Sequence, residues 1–376
     1  MIYLDNAATT WPKPPQVLRA MTGVMEKFGA NPGRGGHRLS LQAGQVVERC
    51  REAAAELLGV RSPERVIFTR CCTESLNLVI LGMVHPGDEV ICSHGEHNAV
   101  MRVLARLVAQ NIITVKVLQP DARGLLAPQT LRAAITPRTR LAVFCHASNV
   151  TGVIQPIAAL GAVCREKGVP MLVDAAQTAG VLDVTLDSLN ADMIAMPGHK
   201  GLLGPHGTGL LALREGIDPE PLLVGGTGSL SESVSQPSIL PDRYESGTLN
   251  LPGIAGLLAG ISHIRRHRLE IEEREQRLSE QLRRQLAEIP AISVLGNEGA
   301  PRVGIVSIAP KHGDSGALAD ALDASGVAVR AGLHCAPAIH AWMGTLETGA
   351  VRFSPGSFTT EAEIDAAAAL TQRLMR

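Results

Sequence analysis

An apolar run of strand length ends on a carboxylate in the stretch Met171-Leu172-Val173-Asp174-Ala175-Ala176-Gln177. Five further runs of this kind occur between residues 65 and 196, and most of them are separated by amphipathic helical patterns. Alternating strand and helix patterns are typical of a mainly parallel sheet with helices on both faces, so we predict an α/β fold. The predicted strands are Arg65–Thr69, Glu89–Ser93, Ile113–Leu118, Arg140–His146, Pro170–Asp174 and Met193–Met196.

The chain is longer than one hydrophobic core usually requires. It has 376 residues, and single cores stop growing at about 250 to 300 residues. A charged helical pattern follows the predicted sheet, and beyond it the chain has the pattern of a smaller α/β unit. We predict a large domain of residues 14–254 and a small domain formed by residues 1–13 and 255–376. Its predicted strands are Arg302–Ala309, Val327–Arg330 and Ala350–Ser354, and Thr360 with Glu363 predicts a capping box at the last helix.

The composition of the chain excludes several classes of function. Lys and Arg number 35 against 36 Asp and Glu, and only 2% of the residues are aromatic. A balanced charge attracts neither nucleic acid nor anionic lipid, and few aromatic side chains are available to stack on bases. No apolar run approaches the ~20 residues of a membrane span, and no secretory signal is visible. We expect a cytoplasmic protein that binds neither nucleic acid nor membrane.

The seven cysteines do not indicate a disulfide framework, because their number is odd and no C-x-x-C spacing occurs. A zinc site is a minor alternative for part of this set, since thiolate and imidazole are the usual zinc ligands. No metal-ligand spacing recurs, so we expect no metal. The residues of this alternative are Cys92, His94, His97, Cys145 and His146.

Polar side chains follow five of the predicted strands. Ligands of parallel sheets bind beyond the carboxyl ends of the strands, so we expect these side chains to share one rim. Ionisable groups are costly to bury there unless they pair with one another or with a ligand. The sequence therefore predicts a polar ligand site. The five sets are Cys71–Glu74, His94 with Glu96–Asn98, His146–Asn149, Asp174–Gln177 and Pro197–Lys200.

Lys200 and Asp174 carry the most specific chemistry of this rim. Gly198 and Gly201 flank Lys200 and allow a sharp turn that points its amine into the rim. A partly desolvated lysine can lose its proton and form a Schiff base. A carboxylate beside it can keep a heterocyclic nitrogen protonated, as pyridoxal phosphate requires. Taken alone, Lys200 is compatible with a surface lysine and Asp174 with a helix cap.

Cys72, Thr73 and His97 are candidates for holding the rest of such a cofactor. Cys72 and Thr73 open a predicted helix, whose free N–H groups and dipole favour an anion such as phosphate. Ordinary N-capping is the alternative there. A flat side chain at His97 suits stacking on a planar ring, although a histidine satisfied within the rim gives the same pattern.

The segment Arg330–Pro337 contains a candidate nucleophile in the predicted small domain. Cys335 lies between His334 and a helix start marked by Pro337, where positive charge and the helix dipole favour a thiolate. Arg352, in a further predicted strand, offers two parallel donors to a carboxylate. An inert cysteine and a surface ion pair are the alternatives.

Together these motifs resemble the cysteine desulfurases of the class V aminotransferase superfamily, which are fold-type I enzymes dependent on pyridoxal phosphate. The resemblance extends over nearly the whole chain, and the order and spacing of the motifs are more specific than any one motif. The motifs are Tyr3–Thr10, Arg70–Asn77, His146–Gly152, Val173–Gln177, Gly198–Lys200, Glu245–Asn250, Arg330–Pro337 and the region of Arg352.

The resemblance implies roles for the cofactor residues. Lys200 would hold the cofactor and shuttle the Cα proton, and Asp174 would pair with the ring nitrogen. Gln177 would contact the ring hydroxyl and His97 would stack on the ring. The implied cofactor-binding set is Cys72, Thr73, His97, Asn149, Asp174, Gln177, His199, Lys200 and Thr248, of which Thr248 would come from the partner subunit of a homodimer.

Two positions depart from frequent family patterns. Cys72 stands where a hydroxyl residue is common, and Pro197 stands where a serine often binds phosphate. We therefore expect the phosphate to have one or two fewer side-chain donors, each worth about 0.5 to 1.5 kcal/mol.

The resemblance also implies the reaction. Lys200, Cys335 and His97 would be the catalytic residues, and Cys335 would attack the sulfur of L-cysteine to leave a persulfide and alanine. The implied substrate-binding residues are Asn149, Arg352, His37 and Arg330.

The segment Arg330–Pro337 is similar to a family branch with a compact cysteine loop, which passes sulfur to an acceptor protein. Sulfur mobilisation of this kind includes iron–sulfur cluster assembly. Selenocysteine lyase is the nearest alternative activity. Further alternatives are a class V aminotransferase or epimerase in which Cys335 is not catalytic, and a non-catalytic sulfur carrier or scaffold.

Overall fold

The computed structural model describes residues 1–33, 35–297 and 299–376, and strands alternate with helices through the first half of the chain. The strands are β1 (Ile2–Tyr3), β2 (Val66–Thr69), β3 (Asp88–Ser93), β4 (Ile113–Leu118), β5 (Thr139–Cys145), β6 (Met171–Asp174), β7 (Met193–Pro197), β8 (Gly209–Leu213), β9 (Ile292–Val294), β10 (Val306–Pro310), β11 (Val327–Ala328), β12 (Arg330–Gly332) and β13 (Ala350–Phe353). The helices are α1 (Pro15–Phe28), α2 (Arg38–Leu58), α3 (Cys72–Met83), α4 (Asn98–Ala109), α5 (Pro128–Ala134), α6 (Ile157–Lys167), α7 (Leu251–Ala287), α8 (Ser315–Ala324), α9 (Pro337–Met343) and α10 (Glu361–Leu374).

A seven-stranded sheet forms the larger part of the molecule, with the strand order β2-β8-β7-β6-β5-β3-β4. All six strands predicted in this region are present, so the α/β prediction is confirmed. Neighbouring strands are parallel except where β8 pairs antiparallel with β2 and with β7. The carboxyl ends of β3, β5, β6 and β7 therefore meet at one edge, which is where the polar sets follow.

The two faces of this sheet are covered by different helices because side chains alternate along each strand. Met171 and Val173 of β6 belong to a core cluster with residues of α2 and α6. Leu172, between them, belongs to a second cluster with residues of α3 and α4. These strands are buried on both faces, which accounts for their continuous apolar runs.

A second sheet is antiparallel, with the order β12-β13-β10-β9. β1 pairs parallel with β11, where Ile2 lies opposite Val327, so the N-terminal segment joins this half of the molecule. The predicted strand Val327–Arg330 is divided into β11 and β12, and the predicted strand Arg302–Ala309 begins later, at Val306. The capping box of Thr360 and Glu363 is confirmed at the start of α10.

The helix α7 connects the two sheets. Its first turns pack Leu251, Ile254 and Leu257 into the core of the large sheet. Its last turns pack Leu278 and Leu282 into a core cluster of the small sheet. The predicted domain boundary near residue 255 falls within this helix and stays a prediction. Among the described residues, no helix is long and apolar enough to span a membrane.

Candidate active site

The ends of four strands and the start of α3 surround one cavity of about 190 Å³. Asp174 ends β6, Lys200 follows β7, and Asn149 follows β5. The structure thus brings residues from all five predicted polar sets to one rim. The lining residues that the sequence singled out are Cys72, Thr73, His97, Asn149, Asp174, Gln177, His199 and Lys200.

Lys200 lies on a tight turn, and this turn packs closely against the backbone at Ala179. A Cβ at position 201 would overlap the carbonyl oxygen of Ala179, so only glycine fits beside this lysine. Burial lowers the pKa of the Lys200 amine, and the negative charge of Asp174 opposes that shift only in part. The amine is therefore more easily deprotonated than that of an ordinary lysine, which favours its use as a nucleophile.

Asp174 is a buried carboxylate that faces the cavity. Its side chain is 6% exposed, and Oδ1 accepts a hydrogen bond from the Ala176 N–H at 2.9 Å. The thiol of Cys72 donates to the same oxygen at 3.5 Å. Burial and the Asp174 charge hold the pKa of Cys72 well above that of a free thiol, so Cys72 stays protonated and remains a donor. Within the described part of the chain, Oδ2 accepts no hydrogen bond.

His97 lies at the rim and caps α4. Its Nδ1 accepts a hydrogen bond from the Ala99 N–H at 3.0 Å, so the neutral ring carries its proton on Nε2. Burial lowers the pKa of His97, which favours the neutral ring, and the residue lines the cavity. On the neighbouring wall, the Gln177 amide donates to the Ala7 carbonyl at 3.2 Å.

The N-terminus of α3 is suited to an anion. Its N-cap residue, Cys71, makes no side-chain capping bond, so N–H groups of the first turn stay available beside Thr73. His199 lines the same cavity, and its Nδ1 is buried without a hydrogen-bond partner among the described residues. Burial lowers the pKa of His199 to about 4, so the ring is neutral near pH 7.

This donor set fits pyridoxal phosphate. The cofactor needs an amine, a carboxylate for its ring nitrogen, a flat side chain and an anion site. Lys200, Asp174, His97 and the start of α3 supply these groups around one cavity. Among the described residues, Nδ1 of His199 has no hydrogen-bond partner, and Oδ2 of Asp174 accepts no hydrogen bond. A bound cofactor would supply a partner for each of these two atoms.

Cys335 lies outside the lining of this cavity, in the cysteine loop, which we define as residues 333–336. Its side chain is exposed. Its carbonyl oxygen accepts a hydrogen bond from the Asn98 N–H at 2.7 Å, directly after His97. The loop is therefore attached to the rim, although Cys335 is exposed and does not line the cavity.

The two arginines implied for substrate lie opposite each other on paired strands, Arg330 on β12 and Arg352 on β13. Arg330 is exposed. Arg352 is buried, and its guanidinium donates to Asp5 Oδ1 at 2.9 Å and to the Asn149 carbonyl at 3.1 Å. Its Nε has no partner among the described residues. Asp5 was missed as a site residue from the sequence, although it lies within the first motif of the resemblance.

Cys335, Arg330 and Arg352 are not among the residues that line the cavity, and neither are two further implied residues, Thr248 and His37. Thr248 is exposed before α7, and His37 is exposed at the N-cap of α2, where its Nδ1 accepts from the Ser40 N–H. Their implied roles stay predictions and would have to be exerted from a partner subunit. In residues 1–33, 35–297 and 299–376, no group of three or more His, Cys, Asp or Glu side chains is arranged to hold a metal ion.

Glu96 is a further buried group behind the rim. Its Oε1 accepts from the Ser93 hydroxyl at 2.5 Å and from the Cys145 N–H at 2.9 Å. Burial raises the pKa of this carboxyl to about 8, so it is protonated near neutral pH.

Comparisons with known proteins place this site in a family. The family model "Aminotransferase class-V" matches residues 2–367. A probable cysteine desulfurase of Methanothermobacter thermautotrophicus is 34% identical over 96% of this chain and 92% of its own length. A cysteine desulfurase of Salmonella agona is 33% identical over 100% of this chain and 94% of its own length.

Solved structures agree with these relatives. The apo structure of a cysteine desulfurase from Thermococcus onnurineus NA1 has a TM-score of 0.93 at 33% identity, over 100% of this chain and 94% of that one. The cysteine desulfurase CsdA from Escherichia coli, solved with an S-sulfonic acid, has a TM-score of 0.88 at 28% identity, over 99% of this chain and 94% of that one. From the fold, the cavity and these matches, we conclude that the chain belongs to the class-V aminotransferase family.

Proposed function

We propose that this protein is a pyridoxal phosphate-dependent cysteine desulfurase, which converts L-cysteine to L-alanine and keeps the sulfur on Cys335 as a persulfide. The observation that carries the proposal is the attachment of the cysteine loop to a cavity lined by both Lys200 and Asp174. The names of the similar proteins support the same activity.

The cofactor would be held by the residues around the cavity. Asp174 Oδ2 would accept a hydrogen bond from the ring nitrogen. Gln177 would contact the ring hydroxyl, and His97 would stack on the ring. The N–H groups at the start of α3, with Thr73 and His199, would bind the phosphate. Cys72 would take part by holding Asp174 through its thiol rather than as a hydroxyl donor to phosphate. When bound, pyridoxal phosphate supplies an electron sink for a bond broken at the substrate Cα.

Lys200 would move the proton of the reaction. Because burial lowers the pKa of its amine, Nζ loses its own proton more readily than an ordinary lysine and can then take the substrate Cα proton. Asp174, close to this amine, limits the shift and keeps the amine basic enough to accept that proton.

Cys335 would receive the sulfur. Its thiolate would attack the sulfur of the bound substrate, forming an S–S bond while the substrate C–S bond breaks. The carbon left behind would be protonated and released as alanine, so that L-cysteine and a thiol give L-alanine and a persulfide. The exposure of Cys335 suits the next step, because a sulfur-acceptor protein could reach the persulfide.

The substrate carboxylate would lie between Asn149 and Arg352. Arg352 already donates to Asp5 and to the Asn149 backbone, which leaves its buried Nε for a further acceptor. Arg330 would act from the neighbouring strand. His37 would contact the substrate carboxylate from a second copy of the chain. Thr248 would also act from the second copy, but it would bind the cofactor phosphate. We therefore propose a homodimer as the active form.

The test is to add L-cysteine to the purified protein with bound cofactor and to measure both alanine and protein-bound persulfide. We expect alanine to be released and a persulfide to be found by mass spectrometry on the peptide that contains Cys335. A keto acid in place of alanine would contradict the proposal and indicate transamination. Faster turnover of L-selenocysteine with no persulfide on Cys335 would indicate a selenocysteine lyase.

A further inference from the structure

The cysteine loop has a backbone conformation that its surroundings must hold. His334 and Cys335 both have positive φ angles, 50° and 59°. Residues other than glycine adopt this left-handed conformation at a cost in free energy, and it persists only where neighbouring groups stabilise it.

Three hydrogen bonds attach the loop to the rest of the molecule. The Asn149 Nδ2 donates to the His334 carbonyl at 2.6 Å. The Asn98 N–H donates to the Cys335 carbonyl at 2.7 Å. The His334 Nε2–H donates to the Ala350 carbonyl at 3.2 Å. Burial lowers the pKa of His334 to about 3, so the ring remains neutral and keeps its proton on Nε2.

Among these partners, the Asn149 side chain also belongs to the lining of the cavity. Its own carbonyl accepts from Arg352 at 3.1 Å, and Arg352 is buried. The backbone of Asn149 is therefore fixed, and its amide group lies between the cavity and the cysteine loop.

We infer that Asn149 positions Cys335, because its amide holds the cysteine loop and releases it when a carboxylate in the cavity takes over the same Nδ2. Nδ2 carries two N–H groups, and the competition is for the one that donates to the His334 carbonyl: a carboxylate oxygen accepts a stronger hydrogen bond from it than a backbone carbonyl does, so this exchange of partners is favourable. This inference rests on the proposed function, since L-cysteine supplies the carboxylate. The arrangement frees the nucleophile only when its substrate is present.

The attachment itself is tested by hydrogen–deuterium exchange of the protein with bound cofactor, without substrate. The reporting amides are Asn98, which donates to the Cys335 carbonyl, and Ala336, which donates to the Leu333 carbonyl at 2.9 Å. Asn149→Ala and Asn149→Asp both remove the donor, and we expect each to speed exchange at these two amides by about fivefold, the effect of one hydrogen bond.

Gln177→Ala is the matched control. Gln177 is another amide side chain of the same cavity, but it donates to Ala7 and does not contact the cysteine loop. In the Gln177→Ala variant, we expect the amides of Asn98 and Ala336 to exchange hydrogen for deuterium at the same rate as in the unmodified protein. Unchanged exchange in both Asn149 variants, with the cofactor still bound, would overturn the inference.

The competition is tested by adding L-alanine, which has the carboxylate of the substrate but no sulfur. We expect L-alanine to shift the visible cofactor band and to speed exchange at Ala336 in the unmodified protein, but not further in Asn149→Ala. A shifted band without faster exchange would overturn the competition and leave the proposed function intact. An unshifted band would count against the proposed function, while the variants alone would still decide whether Asn149 holds the loop.

Discussion

The wall of the cavity and the cysteine loop place their reactive groups by different means. Lys200 and Asp174 lie at the ends of strands that are buried on both faces, and burial together with the charge of Asp174 sets the pKa of the Lys200 amine. Cys335 is exposed, and its loop is held by a few hydrogen bonds against an unfavourable backbone conformation. The comparison indicates that the groups proposed to bind the cofactor and to move the proton are fixed by the core, whereas the thiol proposed to carry the sulfur is held weakly.

The largest effect should follow the removal of the amine from the wall. Lys200→Ala should lower alanine release from L-cysteine by at least about 10⁴-fold, because Lys200 is the lysine that lines the cavity in the described structure. The visible spectrum should change to that of a cofactor not bonded to the protein. Steady-state alanine release and absorbance measure both effects.

Lys13→Ala is the control for this prediction. Burial lowers the pKa of Lys13 to about 8, and its amine donates to the His199 carbonyl at 2.6 Å, yet it does not line the cavity. It should keep the spectrum of bonded cofactor. The same spectral loss in both variants would show that a lowered lysine pKa near the site, rather than the position of Lys200, matters.

The next prediction concerns Cys335, the reactive group of the cysteine loop, while the wall of the cavity is left unchanged. Cys335→Ala and Cys335→Ser should each lower alanine formation by at least about 10³-fold, because neither side chain can accept the sulfur. L-cysteine should still change the cofactor spectrum, since the wall is intact. If either variant formed persulfide at the level of the unmodified protein, Cys335 would not be the residue that accepts the sulfur. The contrast between the cavity wall and the cysteine loop would then be wrong.

A smaller effect tests the charge on the wall. Asp174→Asn keeps an oxygen for the Ala176 N–H but removes the negative charge beside Lys200 and the cofactor nitrogen. We expect alanine formation to fall about 100-fold, the loss of one charged hydrogen bond. Alanine assays over a range of cofactor concentrations would separate weaker binding from slower reaction. Activity within about twofold of the unmodified protein would contradict the role of this carboxylate.

The last effect concerns stability and pH rather than the rate of the reaction. The pKa of Glu96 is raised from 4.5 to about 8 in the folded protein, so the stabilisation from this group is complete below pH 4.5 and is lost as the pH rises to 8. Glu96→Gln cannot ionise. Its free energy of unfolding, relative to the unmodified protein, should therefore increase by up to about 1.4 kcal/mol per pH unit in that window.

Urea unfolding at about pH 5, 6.5 and 8 measures this slope. Glu166→Gln is the control, because Glu166 is exposed on the surface and pairs with Arg132. Its difference from the unmodified protein should stay constant over the same range. If the free energy of unfolding changed with pH equally in Glu96→Gln and in the unmodified protein, Glu96 would not be the cause of this pH dependence.

The parallel part of the fold and much of the rim could be predicted because local pattern determines them. Buried strands have continuous apolar runs, and their carboxyl ends locate the polar sets without knowledge of long-range contacts. The strand β8 was not predicted, since its run Gly209–Leu213 is short and pattern alone does not give strand direction. Its antiparallel position between β2 and β7 depends on the return path of the chain.

The contacts of the cysteine loop could not be predicted. The bond from Asn149 to the His334 carbonyl joins residues 185 positions apart and ends on a backbone atom, which carries no residue-specific signal. Asp5 and Arg352 form a side-chain ion pair, but they are 347 positions apart, and the sequence pattern does not show which charges meet over that distance. The sequence therefore predicts the residues that line the cavity more fully than the way in which the cysteine loop is attached to them.

The helix α7 sets the scale of any relative movement of the two sheets. Its 37 residues correspond to about 55 Å at 1.5 Å per residue. One end is anchored in the core of the large sheet and the other in the core of the small sheet. It therefore acts as a lever: a tilt of about 3° at its first turn carries its far end by about 3 Å, comparable to the length of a hydrogen bond.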